Sequence, residues 1–190
     1  MDVSAAQHDM RRGYVSGATG ILASSLAWFA ATYTAWRISP EQSVWVLFVG
    51  GALIYPVSVV LAKFLGASGA FSKGNPLGGL ASATTAWLIF SLPLAWVVSL
   101  QRLEWFFPAM LLVIGGRYLT FATLYGMRLY WALGIGLAGA GFLLGWVAAQ
   151  PVVSALAGAS IELTFAIVAF GLHARWSSAS KTGTGDPIGL

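Results

Sequence analysis

The sequence predicts an all-α membrane protein, a polytopic transmembrane bundle of six helices. Of its 190 residues, 58% are hydrophobic and only 8% are charged, whereas a soluble domain has about 25% charged residues. The apolar residues form six runs of about 20 residues, the length that a helix needs to cross a hydrocarbon core of about 30 Å. Polar residues do not recur on every helical turn within these runs, which excludes an amphipathic soluble bundle.

Polar, glycine-rich or proline-containing segments separate the six runs. Asn75 followed by Pro76 is a good helix start, as N-cap and first helical residue. Pro56 and Pro93 fall inside spans, where neighbouring helices tolerate a kink. The expected spans run from about Tyr14 to Trp36, Ser43 to Ala62, Pro76 to Leu100, Glu104 to Tyr125, Leu129 to Ala149 and Pro151 to His173.

These spans divide the chain into three regions: a cytoplasmic N-terminal segment (1–13), a transmembrane domain (14–174) and a disordered cytoplasmic tail (175–190). The side that holds both termini carries seven Lys or Arg residues, and the other side carries only Arg37 and Arg102. This bias predicts that both termini are cytoplasmic. In a bacterium the membrane would be the inner one, because outer-membrane spans are strands.

The net charge of +4 does not indicate a nucleic-acid partner, because cytoplasmic loops of membrane proteins collect Lys and Arg. The expected partners are membrane lipids, a small-molecule or ion substrate, and further copies of the chain. The glycine-rich fifth span is the expected seam of such a homo-oligomer, since Gly141-x-x-x-Gly145 allows close helix contact.

Two opposite charges lie deep in the predicted bilayer. Arg117 is eleven residues after Phe106 in the fourth span, and Glu162 is eleven residues after Pro151 in the sixth. Both descend from the same side, so each lies roughly 16–17 Å deep at 1.5 Å per residue. Equal depth permits a direct ion pair. An intramembrane ionisable residue is a functional hypothesis by default, but a matched pair can also simply lock two helices together.

Three further residues near these charges are candidate substrate- or ion-binding groups: Tyr118, Thr120 and His173. The residues at helical spacing from Glu162 are small or partly polar, so this face of the sixth span is expected to face the protein interior. The opposite face carries large apolar residues that suit lipid. His173 lies at the end of the span, where it is either interfacial and solvated or part of a proton path.

A second candidate site precedes the third span. Lys63, Lys73 and Asn75 lie beside the free amides of a helix start, where a phosphate or a lipid headgroup could bind. The alternative is a capped helix start beside ordinary cytoplasmic lysines.

Enzyme motifs are either absent from the sequence or lie at positions where the known enzymes do not have them. The sequence has no Cys and no His-Glu-x-x-His zinc motif, and we expect neither a metal nor another cofactor. Gly66-Ala67-Ser68-Gly69 has the G-x-S-G form of rhomboid intramembrane proteases, but Ser68 follows the second span, whereas that family needs it in the fourth. An enzyme is therefore disfavoured.

Short motifs around the second and third spans resemble those of a bacterial family of small multipass membrane proteins of unknown function. They are Tyr55-Pro56, Ala62-Lys63 and Asn75-Pro76-Leu77-Gly78, and the likeness is densest from about Gly50 to Gly145. The resemblance implies a helical inner-membrane protein and carries no known activity or site.

The sequence therefore favours a small solute or ion transporter or channel built around Arg117 and Glu162. One alternative is a structural or regulatory membrane protein without a transport cycle, and another is an intramembrane enzyme acting on lipid. A cavity reaching Arg117 would favour transport, and a dry Arg117–Glu162 pair would favour the structural role.

Overall fold

The computed structural model describes residues 1–182, with side chains to residue 180. Six of its helical segments are long and apolar enough to cross a membrane, which confirms the predicted bundle. The described elements are α1 (Val3–Tyr14), α2 (Ala18–Arg37), α3 (Pro40–Phe64), α4 (Gly78–Gln101), α5 (Phe106–Tyr125), α6 (Leu129–Trp146) and α7 (Pro151–Thr182), with short 3₁₀ turns at Val15–Gly17 and Leu103–Trp105.

Four helix starts differ from those expected, and two of them lie further along the chain, with α2 beginning at Ala18 rather than at Tyr14 and α5 at Phe106 rather than at Glu104. α3 begins three residues early, because Ser39 accepts a hydrogen bond from the Gln42 amide (3.3 Å) and Pro40 is the first helical residue. α4 begins at Gly78 rather than at Pro76. Asn75 still accepts a hydrogen bond from the Leu77 amide (2.9 Å), so it forms a turn before the helix instead of acting as its N-cap.

The C-terminal segment also differs from expectation. Residues 175–182, expected to be disordered, continue α7 as a helix. The rest of the predicted tail, residues 183–190, lies outside the described part of the chain.

Helix α2 lies at the centre of the bundle. The most apolar 18-residue window of the segment Val3–Arg37, which contains α2, is 67% buried, against 17% for the corresponding windows of α3 and of α4. It packs along α3 on one side and along α7 on the other, while α5 pairs with α6 and α4 packs mainly on α5. Trp28 of α2 and Phe107 at the start of α5 are fully buried, with ring centroids 6.0 Å apart.

Glycines bring α5 and α6 into close contact. A methyl group at Gly134 would lie 2.7 Å from the Gly115 carbonyl oxygen, and one at Gly141 would lie 2.7 Å from the Pro108 carbonyl oxygen. The glycines of this span therefore make their close helix contact within one chain, between α6 and α5. Only Gly136 and Gly139 of this helix have open space beside them for the predicted homo-oligomer.

The polar N-terminal segment forms helix α1, which packs against the end of the bundle where the chain termini lie. The Arg11 guanidinium donates to the carbonyls of Tyr125 (2.5 Å) and Gly126 (2.7 Å), and the Gln7 amide donates to the Thr123 carbonyl (2.8 Å). These are the free carbonyls at the end of α5, which otherwise have no helical partner. Helix α1 thereby caps α5.

Asn75 ties the loop before α4 to helix α1. Its amide donates to the Ala6 carbonyl (3.1 Å) and to the Asp9 carboxylate (2.8 Å). Asp9 in turn accepts from the amide and the hydroxyl of Ser72 (2.8 and 2.7 Å). Every polar group of the Asn75 side chain is therefore used inside the protein.

A left-handed turn joins α1 to α2. Val15 and Ser16 each have φ of 53°, and Gly17 has φ of 80°. A β-branched residue rarely adopts positive φ, so Val15 is strained. Gly17 allows the tightest approach, because a methyl group there would overlap the Tyr130 hydroxyl. The turn is held by Tyr130, whose hydroxyl donates to the Ser16 carbonyl (2.6 Å).

Replacing Gly134 tests the contact between α5 and α6. Gly134→Ala places a methyl group against the backbone of α5, and overpacking of this kind costs roughly 1–3 kcal/mol. We expect a lower midpoint of thermal unfolding for the purified protein in detergent. Gly136→Ala, on the open side of the same helix, is the control and leaves the midpoint unchanged. Equal effects of the two variants would contradict the close contact.

Replacing Asn75 tests the anchoring of α1. Asn75→Ala removes three hydrogen bonds, each worth about 1 kcal/mol, so we expect faster protease cleavage in the loop at residues 65–77 and a lower unfolding midpoint. Lys73→Ala, at an exposed position of the same loop, serves as the control. Unchanged cleavage in Asn75→Ala would show that these hydrogen bonds do not hold the loop.

Candidate functional site

Glu162 is a carboxylic acid fully enclosed in the membrane bundle. Its exposed fraction is 0%, and so are those of Ala155, Ala159 and Ala166 on the same face of α7. This confirms that the small-residue face of the sixth span points inward. Small side chains let α7 lie close to α2, where Gly158 packs against the Trp28 ring. The sequence thus brings a carboxyl group into the tightest part of the bundle.

The carboxyl group has polar neighbours but accepts no hydrogen bond. Ser24 of α2 and Tyr118 of α5 are the hydroxyl groups that interact with it. Neither makes a hydrogen bond of normal geometry, and both carboxyl oxygens are buried without a partner among the described residues. A carboxylate can accept about four hydrogen bonds, so its hydrogen-bonding capacity is unmet.

Arg117 does not form the predicted ion pair with Glu162. Within the described residues no carboxylate lies within 4 Å of its guanidinium. Its Nη2 lies 3.5 Å from the Thr85 hydroxyl of α4, and its guanidinium lies 5.3 Å from the centre of the Phe121 ring. Its Nε is buried without a partner. The two charges still attract each other across a longer distance.

The direction of the side chains explains this difference. Arg117 and Tyr118 are consecutive in α5, and consecutive residues of a helix point about 100° apart at 3.6 residues per turn. Tyr118 is 6% exposed and points to the core beside Glu162. Arg117 therefore points away from that core, towards Thr85 on α4. The expectation of equal depth concerned position along each helix, and that position does not fix this angle.

Further buried polar atoms surround Glu162 on α2 and α7. The Ser25 hydroxyl donates to the Ala159 carbonyl (3.0 Å) and links the two helices. The Thr19 hydroxyl, the Trp28 indole nitrogen and the Ser154 hydroxyl are buried without a partner. The sequence analysis did not single out these residues, although the pair Ser24-Ser25 within an apolar run was an available signal.

Stacked tyrosines connect the Glu162 region to the end of the bundle. Tyr130 lies between Tyr118 (centroids 6.1 Å apart) and Tyr125 (5.3 Å apart), and both pairs are stacked. Its hydroxyl donates to the Ser16 carbonyl, and the Ser16 hydroxyl is hydrogen-bonded to Nδ1 of His173 (2.8 Å). His173 is thus partly buried and bonded to the left-handed turn rather than freely solvated.

The remaining predicted residues have local roles or lie apart from Glu162. The Thr120 hydroxyl donates to the carbonyl of Arg117 (2.7 Å) within α5. Lys63 and Lys73 are exposed near the end of α3 and in the following loop. Asn75 faces α1 with the Asp9 carboxylate beside it, an arrangement that disfavours an anion at this position.

The arrangement gives a membrane-embedded carboxyl group and a separate guanidinium, each with unused hydrogen-bonding capacity. A proton, a cation or water can bind to the carboxyl group, and an anion or water can bind to the guanidinium. Among the residues that the structure describes, no cluster of three or more His, Cys, Asp or Glu side chains could hold a metal ion. The groups brought together are one acid with two hydroxyl groups beside it, and a guanidinium that points to another helix.

Comparison with known proteins gives a match to one protein family. No curated protein and no solved structure matches the chain. A model of a family of unknown function, DUF7010, matches residues 3–171, which include the first five spans and the larger part of the sixth. The chain therefore belongs to this family of unknown function.

Proposed function

We propose that this protein is a transporter or channel that moves a small solute or ion across the membrane, with Glu162 and Arg117 as its polar centre. The observation that supports this best is the fully buried Glu162 carboxyl group, whose oxygens have no hydrogen-bond partner. A buried polar group without a partner costs about 1–3 kcal/mol, and more if it is charged. Such a cost is expected where a ligand or proton completes the site during the working cycle.

A purely structural role fits these contacts less well. A buried ion pair that locks two helices requires direct contact, because only close attraction offsets the loss of water around the charges. Arg117 and Glu162 are not in contact, and each keeps unpartnered buried atoms. An intramembrane enzyme is also less well supported, since Ser24 and Tyr118 are the only hydroxyls interacting with the acid in the described residues and neither is hydrogen-bonded to a base.

The proposal includes a bacterial inner-membrane location with both termini in the cytoplasm. Its support is the excess of Lys and Arg on the side of the termini. Contact between His8 of α1 and Trp176 of α7, with ring centroids 5.6 Å apart, is consistent with both termini lying on one side. Assembly as a homo-oligomer remains part of the proposal.

Flux through reconstituted liposomes tests the proposed function. We expect the purified full chain to move at least one member of a panel of inorganic ions, carboxylates and neutral solutes faster than protein-free liposomes do. Glu162→Gln should slow that flux by about tenfold or more, the effect of losing roughly 1.4 kcal/mol of interaction with the transported species. Glu104→Gln, a partly exposed acid in the 3₁₀ turn before α5, is the control. No flux of any panel member would refute transport.

The thermal stability of Glu162→Gln distinguishes a role of Glu162 in transport from a structural role. Because the Glu162 oxygens have no hydrogen-bond partner, we expect Glu162→Gln to unfold at the same or a higher temperature than the native chain. If the acid stabilised the bundle through Arg117, removing its charge would instead cost about 3–5 kcal/mol. A clearly lower midpoint of thermal unfolding in detergent would therefore support the structural role.

A further inference from the structure

Arg117 has the properties of an anion-binding group. A guanidinium has five N–H donors and stays charged, but the described residues offer it only a 3.5 Å contact to Thr85, the face of Phe121 and the distant Glu162. Its Nε has no partner. Neutral partners do not offset the cost of a cation at this depth, where charges pair or line a wet cavity. A small anion would supply the missing charge and acceptors.

Arg117 reaches towards the outer surface of the bundle beside α4. Arg117 is only partly buried, and Thr85 beside it is exposed. Helix α4 packs mainly on α5, and its span is among the least buried in the protein. Arg117 lies eleven residues into α5, about 16 Å along the helix, which is away from the headgroups at either surface. A small anion without a lipid tail therefore fits this position better than a lipid phosphate, whose headgroup stays near the membrane surface.

Glu162 fits a proton better than a metal cation. Hydroxyl groups of Ser24 and Tyr118 lie beside it, and hydroxyls can both donate and accept a proton. Hard cations such as Ca²⁺ need six or more oxygen ligands. Here the Ser25 hydroxyl already donates to the Ala159 carbonyl, and the described residues include no group of three or more His, Cys, Asp or Glu side chains that could hold a metal ion. The fully enclosed carboxyl group has room for the smallest ligand.

We propose that the protein carries a small anion together with a proton, with Arg117 as the anion site and Glu162 as the proton site. The inference rests on the proposed transport function. The two sites are coupled through charge. Ionised Glu162 competes with an anion for the field of Arg117, and protonated Glu162 does not. Proton binding therefore strengthens anion binding, and by linkage anion binding strengthens proton binding.

The groups that act on Glu162 are limited in number. Helix α2 contributes the neutral Ser24, and helix α5 contributes Tyr118 and Arg117. Helix α6 contributes Tyr130, which stacks on Tyr118. His173 lies further along α7, hydrogen-bonded to Ser16 at the left-handed turn. Glu162 is the acid in this set, so the predicted coupling to pH is assigned to its carboxyl group.

Binding can be measured on the full chain in detergent, independently of transport. Chloride, nitrate and inorganic phosphate are the probes, with gluconate as the reference anion at constant ionic strength. A bound ligand raises the unfolding midpoint, so we expect a rise for at least one probe that is larger at acidic than at alkaline pH. Glu162→Gln should keep the acidic-pH rise at both pH values, and Arg117→Gln should abolish it.

Arg128→Gln is the matched control, because Arg128 is exposed in the turn between α5 and α6. It should retain the full anion-dependent rise. An anion effect that persists in Arg117→Gln, or that is as large at alkaline as at acidic pH in the native chain, would overturn the inference.

Flux measurements distinguish failure of this inference from failure of the transport proposal. With a pH-sensitive dye inside liposomes, we expect proton uptake that requires an external probe anion and is lost in Arg117→Gln. Glu162→Gln should lose proton uptake while any residual anion movement becomes independent of pH. Cation flux that depends on Glu162 without an anion would refute the inference and leave transport standing. Anion binding without any flux would refute transport and leave the anion site standing.

Discussion

The high cost of charge in a hydrocarbon environment constrains this protein more than any other interaction. Glu162 and Arg117 both lie well inside membrane-spanning helices, where a charge normally has a close partner. The bundle buries the acid between α2, α5 and α7 and directs the base towards α4. Both keep buried atoms without a hydrogen bond. A fold that holds such groups apart retains unmet binding capacity inside the membrane.

The surrounding structure is well suited to keep these groups in place. Glycines and alanines allow α2 to pack closely on α7 and α5 on α6, so the backbones leave little freedom around the acid. At the end of the bundle, Arg11 caps α5 and Tyr130 holds the strained turn at Ser16. Strained backbone persists only where neighbouring contacts enforce it, and it clusters at functional sites. The stacked tyrosines link this turn to Tyr118 beside Glu162.

Much of the fold was predictable from the sequence, because a helix that crosses a membrane must be mostly apolar and about 20 residues long. Span number and most boundaries were predictable from the length of the apolar runs, and the inward face of α7 from its small residues. The sequence analysis missed helix α1, whose polar residues form hydrogen bonds to distant carbonyls. It also missed the central position of α2, because its Ser and Thr residues show no charge and no strong periodicity. Such contacts depend on which helices become neighbours.

The sequence by itself determined a six-helix membrane protein with one acid and one arginine at matching depth, because rise per residue fixes depth along a helix. Only the tertiary structure decided that these two groups do not touch. Rotation of each helix about its axis is set by packing against its neighbours, and the 100° step between Arg117 and Tyr118 directs one to α4 and the other to Glu162. The position of a residue along its helix depends on that helix alone, whereas a contact between two residues depends on how several helices pack together.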